Sequence, residues 1–367
     1  MEFKKYNHVS EEKLISKLWE KKGCFKPVSS KTKKTFSMVI PPPNVTGRLH
    51  MGHALNNSLQ DVLVRFYRMK GYETLWQPGT DHAGIATQAI VEKNLKKEGL
   101  KKENLGRESF IKKVWKWKEE SGGIILDQLK KLGCSCDWTR SRFTMDKDFS
   151  KAVIKVFVEL YNKKLIYKDK KLVNWDTALQ TAISDLEVVQ KDTQSNLYFI
   201  EYQVENSSEK ITIATTRPET MMGDTAIAVN PKDKRYINLV GKNVKIPLVN
   251  RSIKIITDHY ADIEQGSGAV KITPAHDFND YMVGKRNKLQ IINIFEKDGK
   301  INNNGIKDFI GLDRFEARKL IIDKLKKTKQ IAKIEQIKNK VPYGDRSNTI
   351  IEPLLTEQWF VNAKALS

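Results

Sequence analysis

The sequence predicts an α/β fold in which a strand–helix–strand layer comes first and a β-rich block follows. Three observations carry this. The apolar run Phe36-Ser-Met-Val-Ile40 stops at three prolines, and a glycine-containing turn then leads into a long segment beginning His50-Met-Gly-His53. In that segment Met51, Leu55, Leu59, Val62, Leu63, Phe66 and Met69 recur at intervals of three and four, which is the helical period. After about residue 191 the period drops to two, as in Leu197-Tyr-Phe-Ile-Glu-Tyr-Gln-Val204 and Ile211-Thr-Ile-Ala214, the pattern of half-buried strands.

Taken in order, residues 10–22 read as a short helix with Leu14, Ile15, Leu18 and Trp19 on one side. Residues 36–40 fit a buried strand, and residues 50–70 a helix, with Gly71 where a C-terminal cap belongs. Residues 74–77 form a second strand that ends at the loop Gly79-Thr-Asp81. Strand, helix and strand in this order imply a parallel sheet with helices on its faces. Ligands of such sheets sit beyond the carboxyl ends of the strands, where both loops fall. Lysine-rich helical sequence continues through roughly residues 90–132. The β-rich block is punctuated by turns at Gly223-Asp224, Gly266-Ser-Gly268 and Asp298-Gly299, and it ends with a helix over residues 313–327 before running to about residue 340.

Composition bounds the partners. The chain has 367 residues, with 65 Lys and Arg against 44 Asp and Glu, a formal net charge of +21. That balance permits a polyanionic partner, since neutralising phosphates releases counterions. Lysine, asparagine and isoleucine are abundant throughout, so much of the charge is solvated surface. The length suggests two or three domains. Met1-Glu-Phe-Lys-Lys offers no apolar core for a secretory signal, and no apolar run approaches the ~20 residues that span a bilayer, so no membrane partner is expected. Three cysteines make no disulfide framework and point to a reducing compartment, most simply the cytoplasm. Cys134 and Cys136 form a Cys-x-Cys with Cys24 far away, short of the four ligands of structural zinc, so no metal site is expected.

The turn after residue 40 is built to receive phosphate. Unpaired N–H groups at a helix N-terminus attract anions. His50 and His53 share one face of the first turn, and Gly52 between them leaves room for a flat ring against the backbone. Leu49-His-Met-Gly-His53 is similar to the HIGH signature of class I aminoacyl-tRNA synthetases. The flanks Pro41-Pro-Pro-Asn-Val-Thr-Gly47 and Gly79-Thr-Asp-His-Ala-Gly-Ile-Ala-Thr-Gln88 resemble the valine branch, whereas isoleucine and leucine members usually read Gly-Trp-Asp at the second motif. The resemblance implies a partial Rossmann-like catalytic domain. In it the motif from Pro43 to His53 binds ATP, with His50 and His53 on the phosphates and Gly52 admitting adenine. It further implies that Asp81 holds the substrate ammonium and that Pro42 and Asn44 form one wall of a valine pocket. Expected partners are ATP with Mg2+, valine and tRNA(Val), and no DNA.

A pocket shaped for valine excludes threonine by only ~10²-fold, a general figure for this very enzyme type and not one read from this chain, so a second, hydrolytic site is the physical remedy. Thr215-Thr-Arg-Pro-Glu-Thr220 and Gly266-Ser-Gly-Ala-Val-Lys-Ile-Thr-Pro-Ala-His-Asp277-Phe-Asn-Asp280 resemble the two signatures of the inserted editing domain of the valine, isoleucine and leucine enzymes. By that resemblance Asp280 pairs with the α-ammonium of a mischarged residue. Lys271, Thr273 and Asp277 meet the threonine hydroxyl or a water, and Arg217 and Thr220 hold the terminal adenosine or shape the pocket. Asp277 and Asp280 also suit a helix N-terminus, and His276 suits a buried structural role better than that of a base. Where many relatives carry a Cys-x-x-Cys after Asn174-Trp175, this chain reads Asp176-Thr-Ala-Leu179, so no zinc knuckle is expected there. The implied domains are 1–190, the first half of the catalytic domain; 191–340, the editing insert; and 341–367, the return into the catalytic domain. The lysine-rich KMSKS loop is absent from the sequence, so an N-terminal part of a longer family member, unable to aminoacylate alone, is expected. The alternatives are a free-standing aminoacyl-tRNA deacylase, an isoleucine-type synthetase and a non-catalytic RNA-binding module.

Overall fold

The computed structural model describes residues 6–28 and 33–367. The chain divides into two compact units, Met1–Lys164 and Leu165–Ser367.

The first unit runs α1 (His8–Lys22), β1 (Thr35–Val39), α2 (Met51–Met69), β2 (Glu73–Gln77), β3 (Gly79–Thr80), α3 (Ile85–Lys97), α4 (Lys102–Leu105), α5 (Arg107–Lys131), β4 (Arg142–Phe143) and α6 (Lys147–Asn162). β1 and β2 pair in parallel from Thr35↔Glu73 to Val39↔Gln77, with α2 as the crossover. β3 and β4 form a second, short parallel pair. The lysine-rich stretch expected to be helical is broken twice, at Gly99 (φ +72°) and Gly106 (φ +73°), conformations that glycine alone adopts without strain. Ile40, Val64, Trp76, Ile125, Leu129, Cys134 and Cys136 form the core. The helix over residues 51–69 is as expected, but its apolar stripe lies largely exposed, Met51 at 82% and Leu55 at 64%, while Asn57 and Val64 on another side are buried.

The second unit runs β5 (Ile166–Asp176), β6 (Thr181–Ile183), β7 (Val188–Val204), β8 (Lys210–Thr215), β9 (Ala226–Val229), β10 (Asn243–Lys245), β11 (Ser252–Thr257), β12 (Ala269–Ile272), α7 (Phe278–Arg286), α8 (Arg314–Lys327), β13 (Ile331–Gly344), β14 (Glu352–Val361) and α9 (Ala363–Leu366). Seven strands form one barrel-like sheet in the order β12-β9-β11-β10-β7-β13, with β8 also on β7. The period-two expectation holds: Tyr198, Ile200, Tyr202 and Val204 alternate into the core with Ile211 and Ile213. β9 is buried along its whole length because it is covered on both faces. Ile227 and Val229 join the main core, while Ala226 and Ala228 meet a second cluster with Ile272 and Val283. β14 pairs with β5, and β5 with β6, in a separate three-stranded antiparallel sheet.

Candidate functional site

In the first unit, His50 is the N-cap of α2. Its Nδ1 accepts from the Gly52 N–H at 3.1 Å, and the His50 N–H donates to His53 Nδ1 at 3.3 Å, so the two imidazoles form a reciprocal cap. Their ring centroids are 4.0 Å apart. Burial, and then the neighbouring His50, push His53 below the ordinary histidine range, so its ring is neutral at pH 7. A Cβ at Gly52 would lie 3.0 Å from His50 Cε1, so a larger residue there would press on the ring that makes the cap, a constraint the sequence pattern does not reveal. The prolines run extended into a backbone ladder: Asp81 N–H donates to Pro43 O, and Val45 N–H donates to Asp81 O, both at 2.9 Å. This brings Asn44 opposite Asp81. Asp81 Oδ1 accepts from Ala83 N–H and Thr144 Oγ1, each at 3.1 Å. Pro42 lines a neighbouring cleft of about 280 Å³ with Ile40, Gly79, Thr80 and Phe143.

In the second unit, the two motifs meet. Lys271, on β12, spends all three ammonium protons, on Thr220 Oγ1 (2.8 Å), Thr273 Oγ1 (2.5 Å) and Asp224 Oδ1 (3.2 Å). Asp224, in sequence only part of a turn, is fully buried, and it also accepts from Thr273 Oγ1 at 2.6 Å and from the Tyr202 hydroxyl at 2.7 Å. Nothing local in Gly223-Asp224 distinguishes such a carboxylate from a turn aspartate. Asp280 is buried beside this group and accepts from the Thr273 N–H at 2.8 Å; burial pushes its carboxyl up to about 7. Asp277 caps α7, accepting from the N–H groups of Asn279 and Asp280. His276 is buried, its Nε2 accepts from the Ile294 N–H, and burial followed by Arg217 and Lys271 keeps it neutral.

A cavity of about 1090 Å³ lies in this unit and is lined by Arg217, His276, Asp277, Phe278, Tyr198 and Arg318, among others. Of the expected residues, Arg217 and Asp277 face it; Thr220, Lys271, Thr273 and Asp280 do not line it, and their side chains are almost wholly buried. Arg217 donates from three nitrogens, to Glu219 Oε1 (3.2 Å), His276 O (3.0 Å) and Glu352 Oε2 (2.5 Å). Arg318 grips Glu219 with two 2.7 Å bonds, and Arg314 Nε lies 3.0 Å from Glu352 Oε1. Burial alone would raise Glu219, but Arg318 and Arg217 together hold it below the usual carboxylate range. Glu352 and Arg318 carry no mark in the sequence because their pairing spans distant segments, while Glu219 lies within the motif over residues 215–220, where the resemblance gives it no role.

Cys134 and Cys136 are buried thiols pushed up by desolvation, Cys134 to about 12. Among the described residues, no three His, Cys, Asp or Glu are grouped to hold a metal ion, and no helix is long and apolar enough to cross a membrane.

A capped helix head after a parallel strand, with a barrel-like sheet in the second unit, defines a mixed α/β protein. The chain belongs to the class I tRNA synthetases (I, L, M and V), whose profile matches residues 14–367. It is 68% identical over 363 residues to a valine–tRNA ligase of Pelagibacter ubique, covering 99% of this chain and 41% of that protein. It is 53% identical over 389 residues to a valine–tRNA ligase of Rhodopseudomonas palustris, covering 99% and 41%. A LeuRS–tRNA–LeuAMS ternary complex from Agrobacterium radiobacter K84 aligns at 20% identity with a TM-score of 0.43, over 95% of this chain and 49% of that one. The chain thus spans about two fifths of the length of these curated relatives.

Proposed function

We propose that this chain is the part of a cytoplasmic valine–tRNA ligase that holds one side of the ATP site and the complete site for hydrolysing threonyl-tRNA(Val). In activation, a valine carboxylate oxygen attacks the α-phosphate of ATP·Mg2+ and pyrophosphate leaves. The protein supplies position and charge stabilisation rather than a nucleophile. The Nδ1 atoms of His50 and His53 are engaged in the cap, which leaves Nε2 of each ring for phosphate oxygens. Asp81, held opposite Asn44, takes the substrate ammonium, a charge-assisted contact. Proofreading is assigned to residues 191–340. There a water attacks the ester carbonyl of threonyl-tRNA, the ribose oxygen leaves with a proton, and threonine is released.

The observation that carries this reading is the reciprocal His50–His53 cap, since it fixes two imidazoles side by side where a triphosphate would lie. The test uses the protein carrying this chain. His53→Ala should lower valine-dependent ATP–pyrophosphate exchange by ~10²-fold, the typical loss for one preorganised donor, while deacylation of threonyl-tRNA(Val) stays intact. Unchanged exchange would remove the helix head from the ATP site.

A further inference from the structure

We propose that Thr144 is a positioning residue for activation: its hydroxyl donates to Asp81 and fixes that carboxylate for the ammonium of the amino-acid substrate. This rests on the reading of Asp81 given above and goes further, by naming the group from a distant segment that sets the direction of the carboxylate.

The backbone of Asp81 is anchored on both sides, its N–H to Pro43 O and its carbonyl to the Val45 N–H. Its side chain is held less by its own segment. α3, which follows, takes Gly84 as N-cap with no side-chain bond, so Asp81 is not a helix cap. The one local backbone contact is the Ala83 N–H on Oδ1 at 3.1 Å, and the side chain is 36% exposed, open to an incoming group. The second hold comes from Thr144, 63 positions away in the sequence. The β3–β4 pair brings it there: Thr80 lies opposite Phe143, and the Thr144 N–H continues the ladder by donating to Thr80 O at 3.1 Å. Three groups face the Thr144 hydroxyl oxygen, the His82 N–H at 2.9 Å, His82 Nδ1 at 2.6 Å and Asp81 Oδ1 at 3.1 Å. A hydroxyl has one proton and two lone pairs. The backbone N–H can only donate, and the carboxylate can only accept. The hydroxyl proton therefore goes to Asp81, and His82 Nδ1 gives a proton of its own to the second lone pair. The reverse arrangement would set a lone pair of Thr144 against the carboxylate. Oδ1 is thus held from two sides. Among the described residues nothing bonds to Oδ2, which is the oxygen left for a charge-assisted contact with an ammonium.

The test is valine-dependent ATP–pyrophosphate exchange by the protein carrying this chain. Thr144→Val keeps the shape of the side chain and removes its proton. The KM for valine should rise roughly tenfold, the loss of one hydrogen bond to a charged group, while the KM for ATP stays within about twofold. Thr144→Ser keeps the hydroxyl and should restore the valine KM. Thr144 also lines the cleft beside Pro42, so a change of pocket shape must be told apart from a change at the carboxylate. α-Aminobutyrate makes that distinction: it shares the ammonium but lacks one methyl, so its KM should rise by the same factor as that of valine. Unequal factors, an unchanged valine KM, an equal rise in the KM for ATP, or no rescue by serine would each overturn the proposal. If Thr144→Val does not fold, Thr144→Ala read against Thr144→Ser gives the same comparison. Asp81→Ala tests the underlying reading separately: an unchanged valine KM there would take Asp81 away from the ammonium, whatever the result at Thr144.

Discussion

Asp280 offers a thermodynamic experiment with a defined sign. The residue is 5% exposed, and burial lifts its pKa from 3.8 to about 7, because Lys271 offsets only part of the desolvation. Between those two values the native chain keeps a proton that the unfolded chain has released, so raising the pH removes stability. The whole interval is worth about 4 kcal/mol, of which about 2–3 kcal/mol falls between pH 5 and pH 8. Asp280→Asn is neutral throughout and can still accept from the Thr273 N–H through its amide oxygen. Urea unfolding of the variant and the unmodified protein at the two pH values cancels every other titrating group from the difference. The variant should gain about 2–3 kcal/mol relative to the unmodified protein on going from pH 5 to pH 8. Parallel curves would refute the reasoning, since they would mean the buried carboxyl ionises as freely as in the unfolded chain. A substrate ammonium drawn to the ionised form would show in addition as deacylation rising through pH 7.

Two further outcomes concern the same unit. Glu352→Ala leaves Arg217 and the buried Arg314 without their shared carboxylate, so unfolding free energy should fall by about 3–5 kcal/mol, read from the urea midpoint. Gly223→Ala places a Cβ 2.9 Å from the Ile292 carbonyl and 3.1 Å from Thr273 Cγ2. The strain should cost about 1–3 kcal/mol in a thermal melt, and the displaced Thr273 should slow threonyl-tRNA hydrolysis.

The local architecture is largely legible in the sequence. The intervals of Leu55, Leu59, Val62 and Phe66 dictate α2, and the alternation from Leu197 dictates the inner half of β7, because both signals are short-range. What the periodicity cannot tell is which side of α2 is covered: the stripe that signals the helix is the exposed one, while Asn57, a polar residue, is buried and bonds to His53 O. The outer half of β7, from Val188, has no such signature, because its polar residues pair with β13 instead of filling a core and no alternation marks it. Lys271 and Thr273 can be picked out from their motif; the carboxylate that orders them cannot. Asp224 and Tyr202 act through contacts with residues far along the chain, and in sequence one looks like a turn residue and the other like an ordinary strand aromatic.

The β7–β13 ribbon, in register from Val188↔Gly344 to Phe199↔Lys333 and then shifted by a bulge before Ile200↔Ile331, is finished at its inner end by Glu201 N–H donating to Gln330 O at 2.9 Å. Residues 201 and 330 therefore stand side by side, and the chain between them departs and returns at a single seam. Joining that seam closes a long loop, so the pairing of β7 with β13 carries a loop-closure cost that the local elements do not.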